Sequence, residues 1–297
     1  MSAMLLLEQA LNAVQFGMLL FLVAVGVTLV FGVMDVVNLS HGSLFMLGGF
    51  FLAQAMDWQG SFYLGAFLAA VGVVAVAVVV EILVIRPLYA RGHLDQVLAT
   101  FGLILFFNEA VVMIWGRSPL FVSVPEVLSG QVEILPGAPY PTYRLAVTAV
   151  AALLGLGLYA ILRYTRIGIL VRAGADKRLM VEVLGVNVAL LYTAVFAFGA
   201  LLAAVAGMMT APLLSVETGV GEPVLILALV IVIIGGIGSV RGALAASLLI
   251  GFVDTFGRVL LPGLVGPGTG SALANMAVYI VMAAILYFRP QGLFRHG

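Results

Sequence analysis

Ser61-Phe-Tyr-Leu-Gly-Ala-Phe-Leu-Ala-Ala-Val-Gly-Val-Val-Ala-Val-Ala-Val-Val-Val-Glu-Ile-Leu-Val-Ile85 holds a single charged residue, Glu81. A helix needs about 20 such apolar residues to cross a hydrocarbon layer ~30 Å thick. The rest of the chain has the same character. Of its 297 residues, 64% are hydrophobic and 9% are charged, and the mean hydropathy is +1.25. A soluble domain carries roughly a quarter charged residues, so lipid must solvate much of this surface. Basic and acidic residues balance at 13 each, which gives no basic surface for nucleic acid. The chain has no cysteine, and His41, His93 and His296 are far apart. Disulfides, thiolate metal sites and a histidine metal cluster are therefore not expected, and no cofactor is implied.

Working outward from 61–85, the same ruler marks about nine apolar spans. They run from Leu11 to Met34, His41 to Met56, Ser61 to Ile85, Gln96 to Trp115, Arg144 to Leu162, Val188 to Leu214, Pro223 to Ile237, Gly242 to Leu261 and Ser271 to Phe288. The second and seventh are short. Met1 to Gln9 carries Glu8 and no Lys or Arg, unlike a signal peptide's positive leader, so the first run is expected to remain as a span. The fold class is all-α, a polytopic transmembrane helical bundle with broken or short helices. No loop is long enough for a soluble domain, so residues 1–297 read as one membrane domain.

Lys and Arg collect in cytoplasmic loops. Here they gather at Arg86 and Arg91, at Arg163, Arg166, Arg172, Lys177 and Arg178, and at Arg289 and Arg295. Nine spans put all three groups on one side. The N-terminus is then outside, the C-terminus is cytoplasmic, and the Pro- and Gly-rich stretch 116–143 is outside.

Two stretches do not read as plain lipid-facing helix. Asp35-Val-Val-Asn-Leu-Ser-His-Gly-Ser43 separates two apolar runs. Asn38, Ser40, His41 and Gly42 fit the start of a helix lining a permeation path; they fit equally a turn capped at Ser40. Ile234-Gly-Gly-Ile-Gly-Ser-Val-Arg-Gly-Ala243 is weakly similar to it, with Gly236 and Gly238 in the break. Gly238, Gly242 and Ala246, beside Ala243, Ser247 and Gly251, form small-residue stripes that let helices approach closely. A nucleotide-binding glycine loop is not supported. The third glycine of a dinucleotide fingerprint is missing, and Lys177, the only lysine, lies in no phosphate-binding motif.

Within the spans, Thr100 and Asn108 fall loosely on one side of the fourth and are candidates for a cavity wall. Asp254 and Arg258 are four apart and are expected to pair. Glu81 near Arg86 reads as an interface anchor, and Glu217 and Glu222 flank an external turn. No Ser-His-Asp set or carboxylate pair suggests an intramembrane enzyme.

The segment 164–187 has helical periodicity, with Arg172 and Asp176, and Arg178 and Glu182, four apart, and it stops at Gly185. It suits docking on a soluble partner, or lying on lipid headgroups. It resembles the cytoplasmic coupling loop of permease subunits from branched-chain amino-acid ABC importers. The resemblance rests on Thr165-Arg166-Ile167-Gly168, Arg172-Ala173 and Leu184-Gly185. It extends to Asn38-Leu-Ser-His-Gly42, Glu81 to Arg86-Pro87-Leu88, Gly235-Gly-Ile-Gly-Ser239 with Gly242-Ala243, and Phe288-Arg-Pro-Gln-Gly-Leu293, in the family's order. Arg241, where the family often has a neutral residue, and Gly174, in place of a helix former, depart from the pattern. The branch resembled is the shorter of the two permeases that pair in these importers.

The resemblance implies a permease in a bacterial inner membrane that moves branched-chain or other small amino acids, or related amides, by alternating access. It implies a second, paralogous permease, two ATP-binding subunits that hydrolyse the ATP, and a substrate-binding protein. Arg166, Gly168, Arg172, Ala173, Asp176, Leu184 and Gly185 would then couple to the ATPases. An ion-coupled secondary transporter or channel is the alternative, with Asp254 its best coupling group.

Overall fold

The computed structural model describes residues 3–135, 138–176, 182–183 and 185–294. Each of the nine apolar stretches is a helix. In chain order they are α1 (Ala3–Met34), α2 (His41–Gln59), α3 (Phe62–Val80), α4 (His93–Trp115), α5 (Thr142–Tyr164), then, after a short α6 (Arg166–Asp176), α7 (Val188–Thr210), α8 (Gly221–Gly235), α9 (Val240–Val265) and α10 (Pro267–Phe288). The described strands are β1 (Gln131–Leu135) and β2 (Ala138–Pro141), an antiparallel hairpin between α4 and α5.

The hairpin marks one end of the bundle. Asn12 of α1 accepts hydrogen bonds from Tyr140 and Arg144 there, and burial raises the pKa of the Tyr140 hydroxyl, which keeps it a donor. Phe62, at the start of α3, stacks edge-on against Tyr143 at 6.5 Å. Tyr143 also donates to the Met209 carbonyl at 3.0 Å, near the end of α7. Helices α1, α3 and α5 therefore all run away from the hairpin. Arg86, Arg91, Arg163 and α6 lie at the far end, called here the arginine face.

Seven of the nine apolar helices are long and apolar enough to cross a membrane. The expected count of nine is thus met by helices but not by full-length spans. The exceptions are α2, long enough at 19 residues but less apolar, and α8, short at 15 residues; both also start inside the bundle. His41 lies beside Gly26 of α1, where an added Cβ would fall 2.6 Å from the His41 Nε2. Gly26 is eight residues before the end of α1, about 12 Å along the helix. The chain leaves α1 at Asp35, which takes a left-handed φ of +52°, and climbs back without helix before α2 begins. Helix α8 mirrors this from the other end. Its first turn is held by Asn108 of α4, seven residues or about 10 Å short of the end of α4. The two helix starts meet: a Cβ on Gly42 would lie 2.3 Å from the Gly221 carbonyl oxygen, and one on Gly221 would lie 2.3 Å from that of Gly42.

Non-helical backbone at membrane depth survives only when protein or water satisfies it. The non-helical approaches to α2 and to α8 both find protein partners. The Val37 amide donates to Gln96 Oε1 at 3.0 Å, and the Ser40 amide to Asn38 Oδ1 at 3.0 Å. On the hairpin side, Val216 and Leu120 exchange backbone hydrogen bonds of 2.9 and 3.0 Å.

Around this centre the helices pack through small residues. Gly17 of α1 sits on the Ser247 carbonyl, and Gly251 of α9 on the Ala13 carbonyl. The stripe expected from Ser247 and Gly251 is thus the α1–α9 crossing. The stripe through Gly242 forms the α8–α9 turn, where Gly242 lies against Gly235. The second break reverses at Gly236 and Gly238, with φ of +95° and +76°, and Gly238 touches Gly32 at the end of α1. The two weakly similar sequence breaks are therefore neighbours in space.

Candidate permeation site

Helix α2 is buried on nearly all sides from His41 to Phe50, enclosed by α3, α7, α8 and α4. At its start the Asn38 side chain forms a turn. Its Oδ1 accepts from the Ser40 amide and, at 2.7 Å, from the Ser40 hydroxyl. That leaves Asn38 Nδ2 buried with no hydrogen-bond partner, and His41 Nε2 is in the same condition. His41 is 1% exposed and Asn38 6%.

Both residues line a partly open cavity of about 190 Å³ between α1, the 35–40 break and α8. Its other walls are apolar, with Val27, Val30 and Phe31 from α1 and Leu229, Val232 and Ile233 from α8. A larger, more open hollow of about 620 Å³ faces the arginine end, lined by Asp35, Gly236, Gln291 and Phe294 among others. The two share Phe31, Ile233 and Ile237. Together they form a vestibule and an inner chamber with an apolar border between them.

The expected path residues divide on this geometry. Asn38 and His41 line the chamber, Gly236 lines the vestibule, and Gly238 holds the second break against α1. Ser40 is buried behind Asn38, and Gly42 is the contact with Gly221. Thr100 is fully buried, and its hydroxyl donates to the Gln96 carbonyl at 2.7 Å within its own helix. It lines neither hollow. Asn108 is also outside them; its Nδ2 donates to Glu222 Oε1 across α4 and α8. Glu222 therefore fastens the start of α8 and does not simply flank an external turn.

Sequence reading placed Glu81 as an anchor but missed its extent. The α-helix of α3 widens into a π-helix at Glu81–Ile85, a form that recurs at functional sites. Glu81 is fully buried. Its carboxylate accepts from Arg86 Nε at 3.2 Å and Nη2 at 2.9 Å, from the Tyr89 hydroxyl, and from the Thr193 hydroxyl at 2.9 Å. Burial and that carboxylate raise the Tyr89 pKa, so the hydroxyl remains a donor. Gln96 continues the network, donating to the Leu88 and Arg91 carbonyls while holding Val37. A run of bonds thus joins the start of α7 to the break below the chamber. The available signal was a carboxylate inside an otherwise apolar run.

Helix α6 folds back on the end of α5. The Gly168 amide donates to Thr165 Oγ1, a Cβ on Gly168 would collide with the Leu162 carbonyl, and Arg172 donates to that same carbonyl. Val171 and Gly174 face the bundle, with Gly174 against Leu191 of α7. Arg166 and Arg172 are exposed, Ala173 is half-buried, and Ile167 and Ile169 are each 58% exposed. The Asp176 side chain, Arg178 and Leu184 lie outside the described residues, so the two expected i, i+4 pairs have no description. Gly185 ends the segment with φ of +83°.

Asp254 and Arg258 pair as expected, through bonds of 2.8 and 2.9 Å. Both Asp254 oxygens are engaged, so the best candidate for ion coupling is not a free carboxylate. The Asp254 side chain is 10% exposed and its partner Arg258 lies in the same apolar membrane helix, so the pair is not a solvated surface pair and losing one member leaves a poorly solvated ion. Asp254→Asn is expected to lower thermal stability by more than about 1 kcal/mol and to leave solute uptake intact; loss of uptake would return ion coupling to consideration.

Residues 9–288 match the family described as the permease component of branched-chain amino acid transport systems. The chain belongs to this family. Among family members, the high-affinity branched-chain amino acid transport system permease protein BraD of Pseudomonas aeruginosa is 27% identical, over 97% of this chain and 95% of its own. The permease protein LivH of Escherichia coli K12 is 26% identical, over 97% and 94%. A probable branched-chain amino acid transport permease of Methanocaldococcus jannaschii is also 26% identical, over 95% and 90%. No solved structure matches the chain. Family membership and the apolar helices make this a multi-pass membrane permease.

Proposed function

We propose that this permease is the membrane subunit of an ATP-binding cassette importer that brings branched-chain or other small amino acids, or related amides, into the cytoplasm. The observation that carries the reading is the meeting of α2 and α8 at Gly42 and Gly221, within a chain of this family. Paired discontinuous helices meeting near mid-membrane are how many transporters expose helix ends to solute. The arginine face is cytoplasmic by the positive-inside rule. The N-terminus is then outside, the C-terminus inside, and the chain is one membrane domain that crosses nine times, with α2 and α8 completed by the breaks.

Energy comes from two ATP-binding subunits docked on α6 and the 164–187 segment, where Ile167, Ile169, Arg166 and Arg172 are exposed. A second, paralogous permease completes the path, and a substrate-binding protein delivers solute at the hairpin face. This chain supplies conformational change, and ATP hydrolysis belongs to its partners. ATP closure of the partners would press α6, which packs on α5, α1 and α7, and so reach the Glu81 network and the break below the chamber.

The test is co-purification. ATP-binding subunits are expected to co-purify with the wild-type chain and to be lost with Arg172→Glu, which inverts an exposed charge at the proposed dock. Failure of the wild type to retain any such subunit overturns the importer reading.

A further inference from the structure

Two guanidinium groups share one neutral oxygen at the arginine face. Arg163 Nη1 and Arg241 Nη2 each donate to the Tyr159 hydroxyl at 3.0 Å. Both cations also lie by the Tyr159 ring, with Cζ 6.0 and 5.5 Å from its centroid. Among the described residues neither arginine pairs with a carboxylate, and the first turn of α9 holds no acidic residue. Each guanidinium carries five N–H groups, so most of them remain open to a ligand. The Tyr159 oxygen accepts in both bonds, which leaves its own hydrogen to donate outward. Two guanidinium nitrogens on one oxygen lie within roughly 6 Å of each other, and like charges that close repel unless an anion joins them.

The depth of the cluster selects which anion. Tyr159 lies five residues before Tyr164, the end of α5, and so about 7.5 Å inside the helix end. Arg241 is the second residue of α9. Helices α5 and α9 both pack on α1, through Gly155 against Phe21 and Ser247 against Gly17, and the Arg241–Tyr159 bond runs from one to the other. One turn deeper on the same two helix faces, Leu156 and Leu244 are exposed. A tyrosine with arginines on its outer side and bare leucines on its inner side matches the headgroup level of a bilayer. A soluble partner docks beyond the helix ends. A phospholipid brings a phosphate to this depth and hydrocarbon to the leucines.

We propose that Arg163, Arg241 and Tyr159 bind the phosphate of an anionic phospholipid, with its acyl chains along Leu156 and Leu244. A zwitterionic lipid fits less well, because its ammonium group is brought up to the same two guanidiniums. Anionic lipids of the cytoplasmic leaflet attract basic residues at this level. The choice of leaflet rests on the orientation given above, and the binding itself does not. Arg163 stands three residues before Arg166, where α6 begins, so a bound headgroup fastens the end of α5 from which α6 folds back.

The full chain, purified in detergent with whatever subunits accompany it and stripped of lipid, is titrated with dioleoylphosphatidylglycerol or dioleoylphosphatidylcholine. Bound lipid is counted by native mass spectrometry. The acyl chains are identical, so only the headgroup differs. Wild type is expected to favour the phosphatidylglycerol by more than about tenfold. Arg163→Gln and Arg241→Gln each remove one exposed charge, and each is expected to cut the preference about fivefold. Arg91→Gln, which removes another exposed arginine of the same face, is expected to leave it unchanged. Millimolar inorganic phosphate is expected not to displace the lipid.

Equal binding of the two lipids by wild type overturns the proposal, and that comparison needs no variant to fold. A loss in Arg91→Gln as large as that in Arg241→Gln overturns it as well, since the attraction then belongs to the whole face. Full displacement by phosphate assigns the arginines to a free anion instead. Loss of an accompanying subunit from folded Arg241→Gln, with the lipid preference unchanged, assigns them to a protein partner and removes the lipid.

Discussion

Gly42→Ala is expected to destabilise the protein by about 3 kcal/mol, the upper end for overpacking a tight interior, and to abolish transport. The added Cβ would meet the Gly221 carbonyl oxygen at 2.3 Å and its carbon at 2.9 Å. Those are backbone atoms, so no side chain can turn aside. Helices α2 and α8 must instead separate at the point where both begin. Gly157 supplies the opposite case. It lies inside α5, and a Cβ there meets nothing within 4 Å, so Gly157→Ala is expected to be neutral or to stabilise by about 0.5–1 kcal/mol through helix propensity. Thermal unfolding of the two variants in one detergent should move in opposite directions. A Gly42→Ala protein as stable as wild type would mean that the two helix starts are not in contact.

The second large effect is expected at Glu81. Replacing it with Ala leaves the Arg86 guanidinium, the Tyr89 hydroxyl and the Thr193 hydroxyl without their common acceptor. Breaking a buried pair by removing one partner costs about 3–5 kcal/mol. The Arg86 side chain is 37% exposed and regains some water, which places the expected loss near the lower figure, about 3 kcal/mol. Thr193→Val removes one arm of the cluster and is expected to cost about 1 kcal/mol. Because both changes act on the same carboxylate, their sum should exceed the double variant. Strict additivity in thermal unfolding would show that Thr193 and Glu81 do not share a bond, and would break the link from the start of α7 to the chamber.

Much of this architecture was legible in the sequence because a membrane makes its demands locally. Each apolar stretch reports its own length, and the stretches from His41 and from Pro223 were already short. The depth at which those two helices begin was not legible. It depends on how far the chain climbs back from Asp35, which is set by His41 finding room beside Gly26. The candidate site was half legible for the same reason. Asn38 and His41 declared themselves as polar residues at a break, but Val27 and Val232 are ordinary residues of apolar helices until the fold sets them around one chamber. Asn108 and Glu222 are far apart in sequence, and nothing local says that they meet. The Thr100 hydroxyl bonds back to its own helix backbone, and its spacing alone does not reveal that choice.

The tail that follows α10 returns to the end of α8. The Leu293 amide donates to the Ile234 carbonyl at 2.7 Å and the Phe294 amide to the Gly235 carbonyl at 3.3 Å. A polypeptide is made from its N-terminus, so two carbonyls at the inner end of α8 are left waiting until the residues beyond α10 have left the ribosome. One wall of the vestibule is thus finished only after α10 has been made. A message truncated shortly after α10 would yield a protein with every apolar helix inserted and that wall unfastened, and a quality-control protease would find its opening there.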